Sequence, residues 1–148
     1  MYSFMHSKKR NKRINFFYGL GDKPSDYGAL SKYLNIIKID WNNPGSEKVP
    51  QCDTVVGFSM GCFLALDYAE KHRIKKLVLC SLPVCENVGP VKADEIIFLV
   101  GEKEKWILKE INRVRKSMKS RSQLFMILGA KHKITGNYRK KLLEVIGN

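Results

Sequence analysis

Short apolar runs alternate along the chain with stretches whose apolar residues recur every three or four positions. Ile14-Asn15-Phe16-Phe17-Tyr18 reads as a first strand and breaks at Gly19-Leu20-Gly21-Asp22, whose two glycines permit a tight turn. Tyr27, Leu30 and Leu34 then share one face at helical spacing, with Pro24 and Ser25 as start signals, which predicts a helix. Ile36 to Trp41, rich in β-branched residues and ended by Asn42-Asn43-Pro44-Gly45, is the second predicted strand. Thr54 to Phe58 is the third, and Met60 to His72 follows as a helix that starts apolar nearly all round, as deep packing requires. Lys76 to Cys80, Glu95 to Val100 and Gln123 to Leu128 complete six strands. A helix with Ile107, Ile111, Val114 and Met118 in register separates the last two, and another, marked by Tyr138, Leu142 and Val145, follows them.

Strands that are apolar almost without interruption are buried on both faces, as in parallel sheets. Their alternation with helices predicts an α/β protein: a three-layer α/β/α sandwich around a mostly parallel sheet of about six strands. At 148 residues with 44% hydrophobic content, the chain has material for one core. The expected organisation is a basic flexible tail over residues 1–13 and a single domain over 14–148. The longest apolar runs fall far short of the ~20 residues of a membrane helix. The basic stretch Ser7-Lys8-Lys9-Arg10-Asn11-Lys12-Arg13 precedes no signal-type apolar segment, so a cytoplasmic location is expected. Cys52, Cys62, Cys80 and Cys85 form no CxxC pair and no zinc spacing, and read as small hydrophobes.

The net charge of +13 favours anionic partners without choosing among them. Its cations are interleaved with apolar positions at helical spacing, so most belong to solvated helix faces, and at most weak contact with anionic partners is expected.

The candidate chemistry begins at Gly57-Phe58-Ser59-Met60-Gly61, where a strand gives way to a helix. Glycines on both sides of the serine allow a sharp turn that pushes the hydroxyl out above the sheet. The helix N-terminus turns its N–H groups toward any anion formed beside Ser59. A serine hydroxyl needs a base and an acid behind it. Of three histidines, His6 lies in the basic tail and His72 ends the helix after Ser59, roughly 18 Å away at ~1.5 Å per residue. His132 follows the sixth strand, at the same edge of the sheet as Ser59. Glu102 and Glu104 follow the fifth strand, and the order serine, acid, histidine is that of the α/β-hydrolase template.

From about Ile14 to Ile146 the chain resembles a miniature α/β-hydrolase. Gly57 to Gly61 resembles the nucleophile elbow, and Tyr18-Gly19-Leu20-Gly21 stands where the family has its His-Gly oxyanion loop. The resemblance implies an oxyanion hole made by the backbone N–H groups of Leu20 and Met60. Val100-Gly101-Glu102-Lys103-Glu104 resembles the strand-Gly-x-x-Asp acid motif, which puts the acid on Glu104, and Gly129-Ala130-Lys131-His132 resembles the closing Gly-x-x-His. The chain departs from the pattern in having Tyr18 for the usual histidine and Glu104 for the commoner aspartate. The family's first two strands have no counterpart before Ile14, and only Ser81 to Asp94 stands where a cap is commonly inserted, so an open site is expected.

The function expected is that of a serine hydrolase, a carboxylesterase or thioesterase, acting through Ser59, His132 and Glu104 by an acyl-enzyme on a small-molecule or lipid-like acyl substrate. Neither a metal nor an organic cofactor is required. The alternatives are an acyltransferase built on the same three residues and a non-catalytic module that binds nucleic acid or anionic lipid through its basic surface. Substrate identity, acyl chain length and oligomeric state are left open by these residues.

Overall fold

A computed structural model of the protein describes residues 13–85 and 88–147. The predicted basic tail therefore lies, apart from Arg13, outside the described residues. Strands β1 (Ile14–Phe17), β2 (Asn35–Ile36), β3 (Thr54–Phe58), β4 (Ile74–Cys80), β5 (Ala93–Gly101) and β6 (Ser122–Ile127) form one sheet in the order β2-β1-β3-β4-β5-β6. Every neighbouring pair is parallel. Among the described residues three α-helices accompany it, α1 (Gly61–Lys71), α2 (Lys105–Ser117) and α3 (Asn137–Ile146), with a short 3-10 turn at Pro24–Tyr27.

Side chains alternate between the faces of a strand, and β3 shows what covers each face. Phe58 meets the rings of Tyr27 and Tyr138 edge-on, both at 6.4 Å between centroids. On the other face a Cβ at Gly57 would lie 2.6 Å from the Cα of Cys62 in α1. Helices α1 and α3 thus cover opposite faces, and the 3-10 turn lies on the side of α3. The central strands are buried on both faces, as near-continuous apolar runs require. Helix α2 buries Ile107, Ile111 and Val114 while Lys105, Lys109, Arg113 and Lys116 face solvent, the pattern of a solvated basic face. Cys52, Cys62 and Cys80 are buried and Cys85 half-buried, all as free thiols. Among the described residues no helix is long and apolar enough to cross a membrane.

The sequence pattern and the structure part company between residues 24 and 41. Tyr27, Leu30 and Leu34 are buried as their spacing predicts, yet they sit on the 3-10 turn and a run of further turns instead of an α-helix. Bonds of both kinds, Leu30 N–H to Tyr27 C=O and Leu34 N–H to Leu30 C=O, occur side by side. Gly28 is a poor helix former, and the Ser31 hydroxyl competes locally by donating to the Gly28 carbonyl at 2.7 Å. The second strand, expected to run from Ile36 to Trp41, pairs only at Asn35–Ile36. Its continuation leaves the ladder because the Ile39 N–H donates to the Tyr18 hydroxyl at 2.7 Å, so a side chain stands where the neighbouring backbone would otherwise pair.

Tyr18 and Ile39 are both buried, so the bond between them has no solvent to replace it. Tyr18→Phe leaves the Ile39 N–H without its acceptor and is expected to lower stability by about 1–3 kcal/mol. The shift of the urea midpoint at unchanged m-value measures it.

Candidate active site

In a parallel sheet the loops after all the strands emerge at one edge, and the residues singled out from the sequence stand on four of these loops. Leu20 follows β1, Ser59 and Met60 follow β3, Glu104 follows β5 and His132 follows β6. The turn at Ser59 is sharp. Its φ is +54°, left-handed for a residue other than glycine, and its N–H donates to the Cys80 carbonyl at 2.9 Å. Such a backbone costs about 1–3 kcal/mol and is held only where the surroundings determine it. Here the neighbouring glycines allow it: a Cβ on Gly61 would lie 2.1 Å from the Phe17 carbonyl oxygen, and one on Gly57 would strike the start of α1.

The geometry brings Ser59, His132 and Glu104 into one line. His132 Nε2 lies 2.9 Å from Ser59 Oγ, and His132 Nδ1 lies 2.5 Å from Glu104 Oε2. The imidazole ring also packs on Phe58, 5.0 Å between centroids. His72 is not part of this arrangement, since it caps the far end of α1 against Tyr68, and His6 lies outside the described residues.

The two glutamates after β5 have separate tasks. The Glu104 N–H donates to the Gly101 carbonyl at 2.9 Å, and this tight turn folds the Glu104 side chain back into the protein, where the residue is 2% exposed. Its Oε1 accepts from the Gly101 N–H at 2.8 Å and from the Ser81 hydroxyl at 2.7 Å. Burial alone would raise the Glu104 carboxyl. Hydrogen bonds from His132, Ser81 and the Gly101 N–H, together with the charge of His132, outweigh it and hold the group below the ordinary carboxylate value. Glu102 turns the other way and accepts from the Gly129 N–H at 2.8 Å, which pins the loop that carries His132.

Among the described residues no acceptor is bonded to the backbone N–H of Leu20 or of Met60. The Gly19 turn lies close against the nucleophile, since a Cβ at Gly19 would be 3.3 Å from that of Ser59. Tyr18, which stands in the place of a histidine in the oxyanion loop, points into the core and serves Ile39 instead. A cleft of about 690 Å³ opens over Ser59, lined by Leu20, Tyr27, Phe58, Met60 and Ile134 and by the polar side chains of Asp22, Asp26, Lys133 and Thr135. Leu20 is 61% exposed at its rim. Among the described residues no group of three or more His, Cys, Asp or Glu side chains is arranged to hold a metal ion.

Two further residues stand behind Glu104, Ser81, which donates to it, and Tyr138, whose hydroxyl lies 2.7 Å from Ser81 Oγ, and neither was singled out from the sequence. Ser81 reads there as the start of a connecting segment, and Tyr138 as one more position on the buried face of the last helix. Nothing in their local spacing marks them as neighbours of Glu104.

No protein-family profile matches the chain, and no curated protein matches it in sequence. Solved structures do match in shape. A dienelactone hydrolase from Anabaena variabilis superposes with a TM-score of 0.66 at 12% identity, over 93% of this chain and 84% of that one. RedJ, determined with a polyethylene glycol molecule in its active site, gives 0.68 at 10% identity over 95% and 94%. The esterase PE8 gives 0.54 at 14% identity over 95% and 93%. At these identities the likeness concerns the fold, and the chain has a minimal α/β-hydrolase fold.

The Glu104 carboxyl titrates lower in the folded chain than in the unfolded one. Its contribution to stability is therefore complete above the ordinary carboxylate value of about 4.3 and is lost as pH falls through the folded value. Glu104→Gln should be the less stable protein at neutral pH. The gap between variant and wild type should narrow steadily below about pH 4, as read from urea midpoints across the acid range.

Proposed function

We propose that the protein is a serine hydrolase that cleaves carboxylic ester or thioester bonds through an acyl-enzyme. The observation that carries this reading is the unbroken hydrogen-bonded line from Ser59 Oγ through His132 to the buried Glu104 carboxylate. A carboxylate only accepts, so the proton between Glu104 and His132 belongs to Nδ1, which leaves Nε2 with a lone pair facing the Ser59 hydroxyl. Nε2 takes the hydroxyl proton as Oγ bonds to the acyl carbon. The carbonyl oxygen becomes an oxyanion facing the unpaired N–H groups of Leu20 and Met60. When the intermediate collapses, the leaving alcohol or thiol departs with the proton from Nε2, and the acyl group stays on Ser59. Water then repeats the sequence: Nε2 removes its proton, the oxygen attacks the acyl carbon, and the acid leaves as Ser59 recovers its hydrogen.

The cleft agrees with an acyl substrate, since Leu20, Tyr27, Phe58, Met60 and Ile134 offer apolar surface beside Ser59, while Asp22, Asp26 and Lys133 give the same cleft charges of both signs. Two of the proteins of similar fold are named a dienelactone hydrolase and an esterase, which is in keeping with ester chemistry.

Ser59→Ala should fold normally and lose activity on p-nitrophenyl esters by about 10⁴-fold or more, and a fluorophosphonate probe should label the wild type on Ser59 alone. Turnover above a tenth of wild type in this variant, or no labelling of the wild type, would sink the reading. The two glutamates give a second test. Glu104→Gln presents an amide to Nδ1, favours the wrong imidazole tautomer and should lower kcat by about 10³- to 10⁴-fold, whereas Glu102→Gln should stay within about tenfold of wild type. The reverse order would move the acid to Glu102.

A further inference from the structure

Among the described residues two that are not glycine hold a left-handed backbone, and they take equivalent places on neighbouring strands. Ser59 (φ +54°) directly follows β3, and Ser81 (φ +51°) directly follows β4. Each donates its N–H to a carbonyl of the next strand, Ser59 to Cys80 at 2.9 Å and Ser81 to Leu99 at 2.8 Å. Ser59 sets its hydroxyl against one end of the line of three side chains. Ser81 sets its own against the other, 2.7 Å from Glu104 Oε1 and fully buried.

Behind Ser81 stands Tyr138, also fully buried, whose hydroxyl lies 2.7 Å from Ser81 Oγ and 3.2 Å from the Leu99 carbonyl. The direction of these bonds follows from the donors present. A carboxylate has no proton to give, so Ser81 spends its single hydrogen on Glu104. The oxygen of Ser81 is then left to accept, and Tyr138 is the donor in reach: its one hydrogen has two acceptors before it, Ser81 Oγ at 2.7 Å and the Leu99 carbonyl at 3.2 Å, and the nearer one takes it because the carbonyl already accepts the Ser81 N–H. Burial holds the Tyr138 phenol well above its ordinary value, so it keeps its proton. Tyr138 belongs to α3, the element entered directly from the loop of His132, so this hydroxyl ties the mounting of the base to that of the acid.

We propose that Ser81 and Tyr138 are positioning residues for the reaction: Tyr138 donates to Ser81, and Ser81 in turn donates to Glu104 Oε1, holding the carboxylate with Oε2 facing His132 Nδ1. This rests on reading Ser59, His132 and Glu104 as a catalytic triad. The rival account is that Ser81 merely makes a turn. Glycine adopts a positive φ without strain, so Ser81→Gly keeps the turn and deletes only the hydroxyl.

Ser81→Gly should unfold cooperatively like the wild type, lose about 10- to 100-fold in kcat on a p-nitrophenyl ester, and keep its KM within about threefold. Tyr138→Phe, which leaves the backbone untouched and serves even if Ser81→Gly does not fold, should lose about three- to tenfold in kcat, again at constant KM. Because Ser81 acts only through the carboxylate, adding Ser81→Gly to Glu104→Gln should slow fluorophosphonate labelling of Ser59 by less than about twofold further. Wild-type kcat in both single variants, or an equal loss from Ser81→Gly with and without Glu104, overturns the proposal while the triad reading stands. Near-wild-type kcat in Glu104→Gln overturns the triad reading itself, and this proposal with it.

Discussion

A carboxylate that is 2% exposed persists in a protein only if its charge is answered on every side, because an unpartnered buried charge costs several kcal/mol. Glu104 is the point at which this demand is met, and its donors come from places far apart in the chain. One is the N–H of Gly101 in its own turn, one is Ser81 after β4, and one is His132 after β6. Satisfying a single side chain therefore fixes the relative positions of three loops. The edge of the sheet over Ser59 holds its shape because the acid behind it would otherwise be a buried fault.

Much of the site was legible because its main residues stand at short, fixed offsets from a strand end. Ser59 lies one residue beyond β3 and is flanked by glycines whose absence would drive side chains into backbone. His132 was reached by elimination among three histidines, since in the sequence His6 precedes the first strand and His72 stands at the end of the helix that starts after Ser59. The sequence did not by itself separate Glu102 from Glu104, because both lie within reach of the same edge. The difference is made by the turn from Gly101 to Glu104, which sends one carboxylate inward to His132 and the other sideways to Gly129. Ser81 and Tyr138 were not legible at all, because Ser81 meets Glu104, and Tyr138 meets Ser81, only across the assembled sheet, at sequence separations of 23 and 57.

The segment from Tyr27 to Ile39 shows a different limit. Its buried residues, Tyr27, Leu30, Leu34, Ile37 and Ile39, are those the pattern of polarity points to. The pattern states which side chains leave water, and a chain of turns can satisfy that as well as a helix. What decides between them is the competition for backbone partners. There the decisive acceptor is the hydroxyl of Tyr18, 21 positions away from Ile39. The same tyrosine stands where a resemblance to known oxyanion loops would look for a histidine, so one residue accounts for two departures from the expected pattern.

The two margins of the sheet are unequal, and Tyr18 accounts for one of them. At one margin β2 pairs over only two residues before the chain turns away, which leaves almost no unpaired backbone for another molecule to extend. At the other, β6 runs for six residues, Ser-Gln-Leu-Phe-Met-Ile, without a charged side chain, and its Met126 is substantially exposed. A strand of that kind is a template for intermolecular pairing, which proteins usually blunt with lysine, proline or a bulge. Two cations from neighbouring helices stand against this edge instead, Arg115 bonded to the hydroxyl and carbonyl of Ser122 and Lys141 over the ring of Phe125, so the strand borrows from outside its own sequence the charge it lacks.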